Sequence, residues 1–211
     1  MWLKKLLSYV FEFPVANYTS EYSGTIEVTY HKGAYKLCTQ NAIYSWGKYY
    51  TSFDAAFQKM GIYDKNLSKV LVLGYGLGSI ATLLAKNEYV ESLVGVDIDP
   101  VIIDIAYRYH QKTKIDVELI CEDANSFIKS TKQQFDLICI DLFIDDTVPD
   151  EFIHSKFIEN TFNHLNKGGI LIFSQLMTNN MGKYLLQNIF EKYKNTQTIY
   201  SEGNVLYVIQ K

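Results

Sequence analysis

Apolar and polar positions alternate with different periods along this chain, and each change of period predicts an element. Residues 24–39, GTIEVTYHKGAYKLCT, contain two β-rich runs around Lys32-Gly33, the mark of a hairpin whose glycine supplies positive φ. YYTSFDAAFQKMG (49–61) predicts a helix closed by Gly61, a good C-cap residue. From residue 68 the pattern becomes regular. Strand KVLVLG, helix SIATLLAKN, strand ESLVGVD, helix PVIIDIAYRYH, strand IDVELIC, short helix ANSFIKS and strand FDLICID follow in order. Apolar runs this continuous are expected of parallel strands buried on both faces, so the rhythm predicts a doubly wound α/β domain. A helix near 151–166, the turn NKGG, strand ILIFSQ and a helix near 180–193 come next. TQTIYSEGNVLYVIQK then reads as two strands around Glu202-Gly203-Asn204, a closing hairpin that brings an antiparallel strand into the sheet.

The first residues, MWLKKLLSYVFEF, resemble a targeting signal in composition only. Trp2, Leu3, Leu6, Leu7, Val10 and Phe11 fall on one helical stripe, and Glu12 interrupts it, which predicts an amphipathic docking helix. Lys4 and Lys5 beside that stripe leave weak contact with a membrane surface open. No stretch approaches the roughly 18 apolar residues of a membrane span.

Composition narrows the chemistry. In 211 residues, a net charge of -3 without clustered Lys and Arg argues against a nucleic-acid surface. Cys38, Cys121 and Cys139 are odd in number and widely spaced, so neither a disulfide framework nor a zinc knuckle is suggested, and a reducing cytoplasm is the expected setting. His31, His110, His154 and His164 lack metal-ligand spacing, and no metal is expected.

The candidate site begins at Gly74-x-Gly76-x-Gly78, between a strand and a helix. No Gly-Lys-Ser/Thr follows, which excludes a P-loop. The glycines are either a simple tight turn or a bend that brings main-chain N–H groups to a ligand at a helix N-terminus. The next strand ends in GVDIDP. Asp97 stands where a carboxylate can accept from both hydroxyls of a ribose, while Asp99 before Pro100 reads as a helix cap. In CEDAN, Asp123 either caps the short helix or accepts from an adenine amino group.

VLVLGYGLG, GVDIDP, EDA, FDLICIDLFIDDTVPDEF and NKGGILIF, in that order, resemble the spermidine synthase-like branch of the class I S-adenosylmethionine-dependent methyltransferase fold. SEYSGTIEVTYHKGAYKLCTQNAIYS (20–45) is similar to the β domain that precedes this fold in aminopropyltransferases. The resemblance implies a seven-stranded, Rossmann-like sheet over 48–211 with a small N-terminal helix and hairpin unit over 1–47. It implies donor contacts from Gly74, Tyr75, Gly76, Gly78, Asp97, Ile98, Asp123 and Ala124. The donor is S-adenosylmethionine or its decarboxylated form, the acceptor a small amine such as a polyamine, and the assembly a homodimer. Asp141, ending ICIDLF, matches the first aspartate of the family's Asp-x-x-Asp signature and is the candidate general base. Methyl transfer and nucleoside binding without turnover are the alternatives.

Some positions depart from the family pattern. The second signature aspartate falls on Ile144, with Asp145 one residue later. Leu77 and Val72 stand where acids are expected, and Ser174 occupies the column of an acceptor-site glutamine, beside Gln175. The stretch Asp141, Asp145, Asp146, Asp150, Glu151 reads either as a polyamine pocket or as a solvated loop before a helix. Tyr49 and Tyr50, assigned to the linking helix, either border the acceptor or pack.

Overall fold

The computed structural model describes residues 2–201 and 203–211; Glu202, in the expected closing turn, lies outside them. β1 (Phe13–Ser20), β2 (Gly24–His31), β3 (Ala34–Cys38) and β4 (Ile43–Ser45) form an antiparallel sheet in that order. Lys32 (φ 50°) and Gly33 (φ 75°) make the two-residue turn between β2 and β3. Such a turn needs positive φ at both positions. The expected hairpin is thus the middle of a larger sheet, whose outer strands the pattern did not reveal.

α1 (Trp2–Leu7) is shorter than the predicted stripe, and none of its residues is buried. The apolar stripe is not docked against the described residues of this chain. The segment is held by Ser8, whose carbonyl accepts from Lys32 N at 2.7 Å and whose Oγ accepts from Gly33 N at 2.9 Å. Trp2, Leu3, Leu6, Leu7, Val10 and Phe11 face outward.

The second sheet contains β5 (Lys69–Leu73), β6 (Ser92–Asp97), β7 (Asp116–Cys121), β8 (Phe135–Ile140), β9 (Leu165–Leu176), β10 (Thr196–Ser201) and β11 (Asn204–Gln210). Its order is β10-β11-β9-β8-β5-β6-β7. The central pairings are parallel, and β11 runs antiparallel to both neighbours. Helices α2 (Ser52–Lys59), α3 (Ser79–Leu84), α4 (Pro100–Tyr109), α5 (Ala124–Ser130), α6 (Ser155–Asn163) and α7 (Asn180–Phe190) cover it. The α/β alternation expected from the pattern, and the seven strands that the family resemblance implies, are present.

Alternate residues of β5 and β8 separate onto two cores, as the strand period requires. Leu71, Leu73, Ile138 and Ile140 meet α5, α6 and α7. Val70, Val72, Leu137 and Cys139 meet α2 and α3. A third cluster joins Ile26, Val28 and Leu37 of the first sheet to Leu77, Ile102 and Ile105, seating that sheet over the glycine loop and α4.

Four local expectations change. β7 lies at the sheet edge and alternates in burial instead of being buried on both faces. NKGG lies within β9, where Gly168 has φ 81° and the pairing with β8 shifts register. The helix near 151–166 divides into a 3-10 turn, Asp150–Ile153, and α6. Tyr49 ends the 3-10 turn Gly47–Tyr49 and Tyr50 follows it, so neither is on α2. No helix among the described residues is long and apolar enough to cross a membrane.

Candidate active site

The carboxyl ends of β5, β6 and β8 open on a cavity of about 510 Å³, at the strand edge where open α/β sheets bind ligands. Gly74 (φ 85°) leaves β5 with its N–H on the Val96 carbonyl at 2.9 Å. A Cβ there would overlap the Asp141 carbonyl, so glycine allows β5 and the end of β8 to approach. Gly76 (φ 55°) donates its N–H to Asp97 Oδ2 at 3.2 Å. Both glycines line the cavity.

Two other positions of the loop are turned inward. Tyr75 is buried, its ring filling the space a side chain at Gly78 or Gly95 would take. Gly78 (φ 76°) is the N-cap of α3. Neither lines the cavity, so Tyr75 and Gly78 shape the bend, and the Tyr75 main chain also contributes an N–H to Asp97. Leu77 points into the cluster beneath the first sheet, and Val72 is in the core.

At the end of β6, the two Asp97 oxygens accept main-chain N–H groups, Oδ2 from Gly76 and Oδ1 from Asp99 at 3.1 Å. Burial pushes its carboxyl up to about 6, opposed by those N–H groups. Ile98 follows on the cavity wall. Asp99 is the cap of α4, accepting from Val101 N at 2.9 Å. Its other oxygen takes the hydroxyls of Ser20 and Ser23, tying the β1–β2 turn to this rim. Asp123 caps α5, accepting from Ser126 N at 2.8 Å, and with Ala124 also borders the cavity. One carboxylate can serve both purposes, since each oxygen has two acceptor sites.

Asp141 follows β8. Its Oδ2 accepts from the Tyr50 hydroxyl at 2.9 Å, while Oδ1 is buried without a partner. Burial pushes this carboxyl up to about 6, and the Tyr50 and Ser174 hydroxyls draw it back. Burial and the Asp141 charge raise the Tyr50 phenol well above its ordinary value, so Tyr50 remains a donor.

The other candidates separate. Asp145 lines the cavity in a left-handed conformation (φ 53°). Its carboxylate accepts from Thr39 Oγ1 at 2.7 Å, Asn41 N at 3.0 Å and Asn41 Nδ2, while its own N–H meets the Tyr44 hydroxyl. These bonds, with Asn41 and Thr39 foremost, hold its carboxyl below the ordinary value. Asp145 therefore fastens the loop after β8 to the β3–β4 turn. Gln175 is absent from the wall: Oε1 accepts from Leu176 N at 2.9 Å and buried Nε2 lies against Gly182 of α7. Strand alternation turns Ser174 toward Asp141 and Gln175 away from it.

Much of the wall was not singled out from the sequence. Tyr22, Ser23, Tyr44 and Trp46 come from the first sheet and its turns, Glu122 from the end of β7, and Asn204 from β11. No short-range spacing marks these positions, because separate elements deliver them. The wall includes eight carboxylate residues and no Lys, Arg or His among the described residues. No group of His, Cys, Asp and Glu among the described residues is arranged to hold a metal ion.

The profile of the spermine/spermidine synthase domain matches residues 56–208. A polyamine aminopropyltransferase of Sulfurisphaera tokodaii is 34% identical over 114 residues, 50% of this chain and 38% of that protein. The chain thus spans well under two thirds of the curated relatives it matches. Spermidine synthase from Thermotoga maritima aligns at TM-score 0.70 and 16% identity, over 94% of this chain and 73% of that one. A probable spermidine synthase from Corynebacterium glutamicum aligns at 0.74 and 14%, over 93% and 80%. The match extends over more than half of the chain and takes in the glycine bend, Asp97 and Asp141 together: this protein belongs to the spermine/spermidine synthase domain family.

Proposed function

We propose that this chain is an aminopropyltransferase that binds decarboxylated S-adenosylmethionine and transfers its aminopropyl group to a small amine, with a polyamine as the acceptor class. The observation that carries this reading is Asp141: half-buried on the cavity wall, one oxygen held by Tyr50 and the other buried without a partner.

The residues present fit the donor. Gly74 and Gly76 leave room for main-chain approach, Asp97 retains acceptor capacity for ribose hydroxyls, and Ile98, Asp123 and Ala124, on the cavity wall, would border the adenine. A wall of carboxylates with no opposing cation among the described residues favours cationic ligands. It offers no charge partner to the carboxylate of S-adenosylmethionine, which favours the decarboxylated donor and disfavours methyl transfer from the intact one.

The amine arrives protonated and cannot attack until it loses a proton. Asp141 takes that proton on Oδ1 while Tyr50 holds Oδ2. The freed nitrogen attacks the aminopropyl carbon attached to sulfonium. As the new C–N bond forms, the C–S bond breaks and its electrons return to sulfur, releasing 5′-methylthioadenosine. Alignment in the cavity supplies much of the rate.

We propose further that the protein works in a reducing cytoplasm as a homodimer, with the edge of the first sheet and the outward apolar residues of 2–11 as the surface needing cover. Calorimetry with S-adenosylmethionine, its decarboxylated analogue and 5′-methylthioadenosine, joined to mass spectrometry of reactions with a panel of amines, tests the function. Expected are tighter binding of the decarboxylated donor and a product heavier by one aminopropyl group. Transfer of methyl, or no product with any amine, would overturn it.

A further inference from the structure

Asn204 opens β11, two strands from Asp141, yet it lines the same cavity and is buried. In the antiparallel pairing, Leu206 stands opposite Ser174 and Asn204 opposite Leu176. Asn204 and Ser174 are therefore diagonal neighbours on one face, within reach of each other. Asn204 Nδ2 donates to Ser174 Oγ at 3.1 Å. Ile140 of β8 pairs with Phe173 of β9, so Asp141 and Ser174 are the next positions along two adjacent parallel strands.

A serine hydroxyl has one proton and accepting lone pairs. Here a lone pair receives the Asn204 amide, and Ser174 is wholly buried, leaving its proton to find an acceptor nearby. Asp141 Oδ1 is buried and has no hydrogen-bond partner within bonding geometry. We propose that Asn204 is a positioning residue: by fixing the lone-pair side of the Ser174 hydroxyl, it aims the Ser174 proton at Asp141 and holds the base for the reaction proposed above. Tyr50 steadies Oδ2 from the opposite element. Ser174 leaves a second acceptor site on Oδ1 for the incoming amine. The column of a missing glutamine is thereby filled by a serine working with a residue from the last strand.

This inference rests on the proposed function for its catalytic meaning, but its physical content is measurable without turnover. The Tyr50 hydrogen bond and the nearby Ser174 hydroxyl are what offset the burial of Asp141. The titratable groups beside it are the Tyr50 phenol and the Cys139 thiol, both raised well above their ordinary values and hence neutral. A change in the Asp141 titration therefore reports on the hydroxyl contacts.

The test is carboxyl NMR of the full-length protein labelled at aspartate, with Asp141→Asn to assign the signal. Asn204→Ala and Ser174→Ala should each move the Asp141 midpoint upward, by about one pH unit where a hydrogen bond to the charged form is lost. The double variant should move it no further than Ser174→Ala alone, because the two act in series. Ser174→Thr, which keeps the hydroxyl, should restore the midpoint. The acid limb of kcat/KM should follow the same shifts.

An unmoved midpoint in Asn204→Ala, or shifts that add in the double variant, would overturn the proposal. If Asn204→Ala fails to fold, Ser174→Ala against Ser174→Thr decides: equal midpoints sink it. Coupled titrations in a protein that transfers no aminopropyl group would leave this arrangement standing and remove the proposed function.

Discussion

A carboxylate lacking a cation partner in a buried site costs stability, and Asp97 and Asp141 both carry that cost. Each is pushed up to about 6 from 3.8, so between those values the folded protein binds more protons than the unfolded chain. Stability then falls as pH rises from about 4 through about 6, and levels above it. Asp141→Asn, which keeps an oxygen for Tyr50, should raise Tm at pH 7.5 and leave it nearly unchanged at pH 4. The gain is at most ~3 kcal/mol, and scanning calorimetry at both pH values checks it. On the proposed reaction the same variant should lower kcat by ~10²–10⁴-fold while donor affinity stays near that of the wild type. The wild-type kcat/KM should rise with pH through about 6, as Asp141 loses its proton; a flat profile would exclude it as the base.

At the scale of elements, the site depends on how strand ends and helix starts are joined. Gly74 lets two strand ends meet, and its positive φ disfavours any side chain. Gly74→Ala should cost more than ~1 kcal/mol and abolish donor binding, read by denaturant titration and calorimetry. Asp123→Ala should lose a cap worth ~1 kcal/mol and also weaken 5′-methylthioadenosine; loss of stability with unchanged binding would assign Asp123 to the helix alone. The strand-to-helix alternation made these positions legible. Tyr50 was less so, because its hydroxyl reaches Asp141 from a link outside α2. Gln175 was misplaced for a simple reason: one step along a strand changes the face.

For the whole molecule, the cavity is assembled between the two sheets, and its charge follows from that assembly. Asp99 binds Ser20 and Ser23, and Asp145 binds Thr39 and Asn41. Asp99, a helix cap by its sequence, and Asp145, one of the acids after β8 that read either as a pocket or as a solvated loop, thus fasten the first sheet over the rim of the cavity. With no Lys, Arg or His in the wall among the described residues, KM for a cationic amine should rise as salt screens the field. Steady-state kinetics from 20 to 500 mM salt, taken as roughly spanning the screening range, check this; salt-independent KM would deny the cavity a role in attracting the amine. Light scattering tests the proposed pairing, with a monomer at micromolar concentration counting against it.

By itself the sequence determined the α/β alternation, the glycine bend and the carboxylates at strand ends, because period, cap chemistry and backbone freedom act over a few neighbouring residues. Only the tertiary structure decided which carboxylates keep a free oxygen. Asp145 is occupied by a turn more than a hundred residues away, while Asp141 keeps one oxygen unpartnered beside Ser174 and Asn204. A hydrogen-bond partner is chosen by distance in space, and in this fold that distance is set by strand order and register, which no local spacing records.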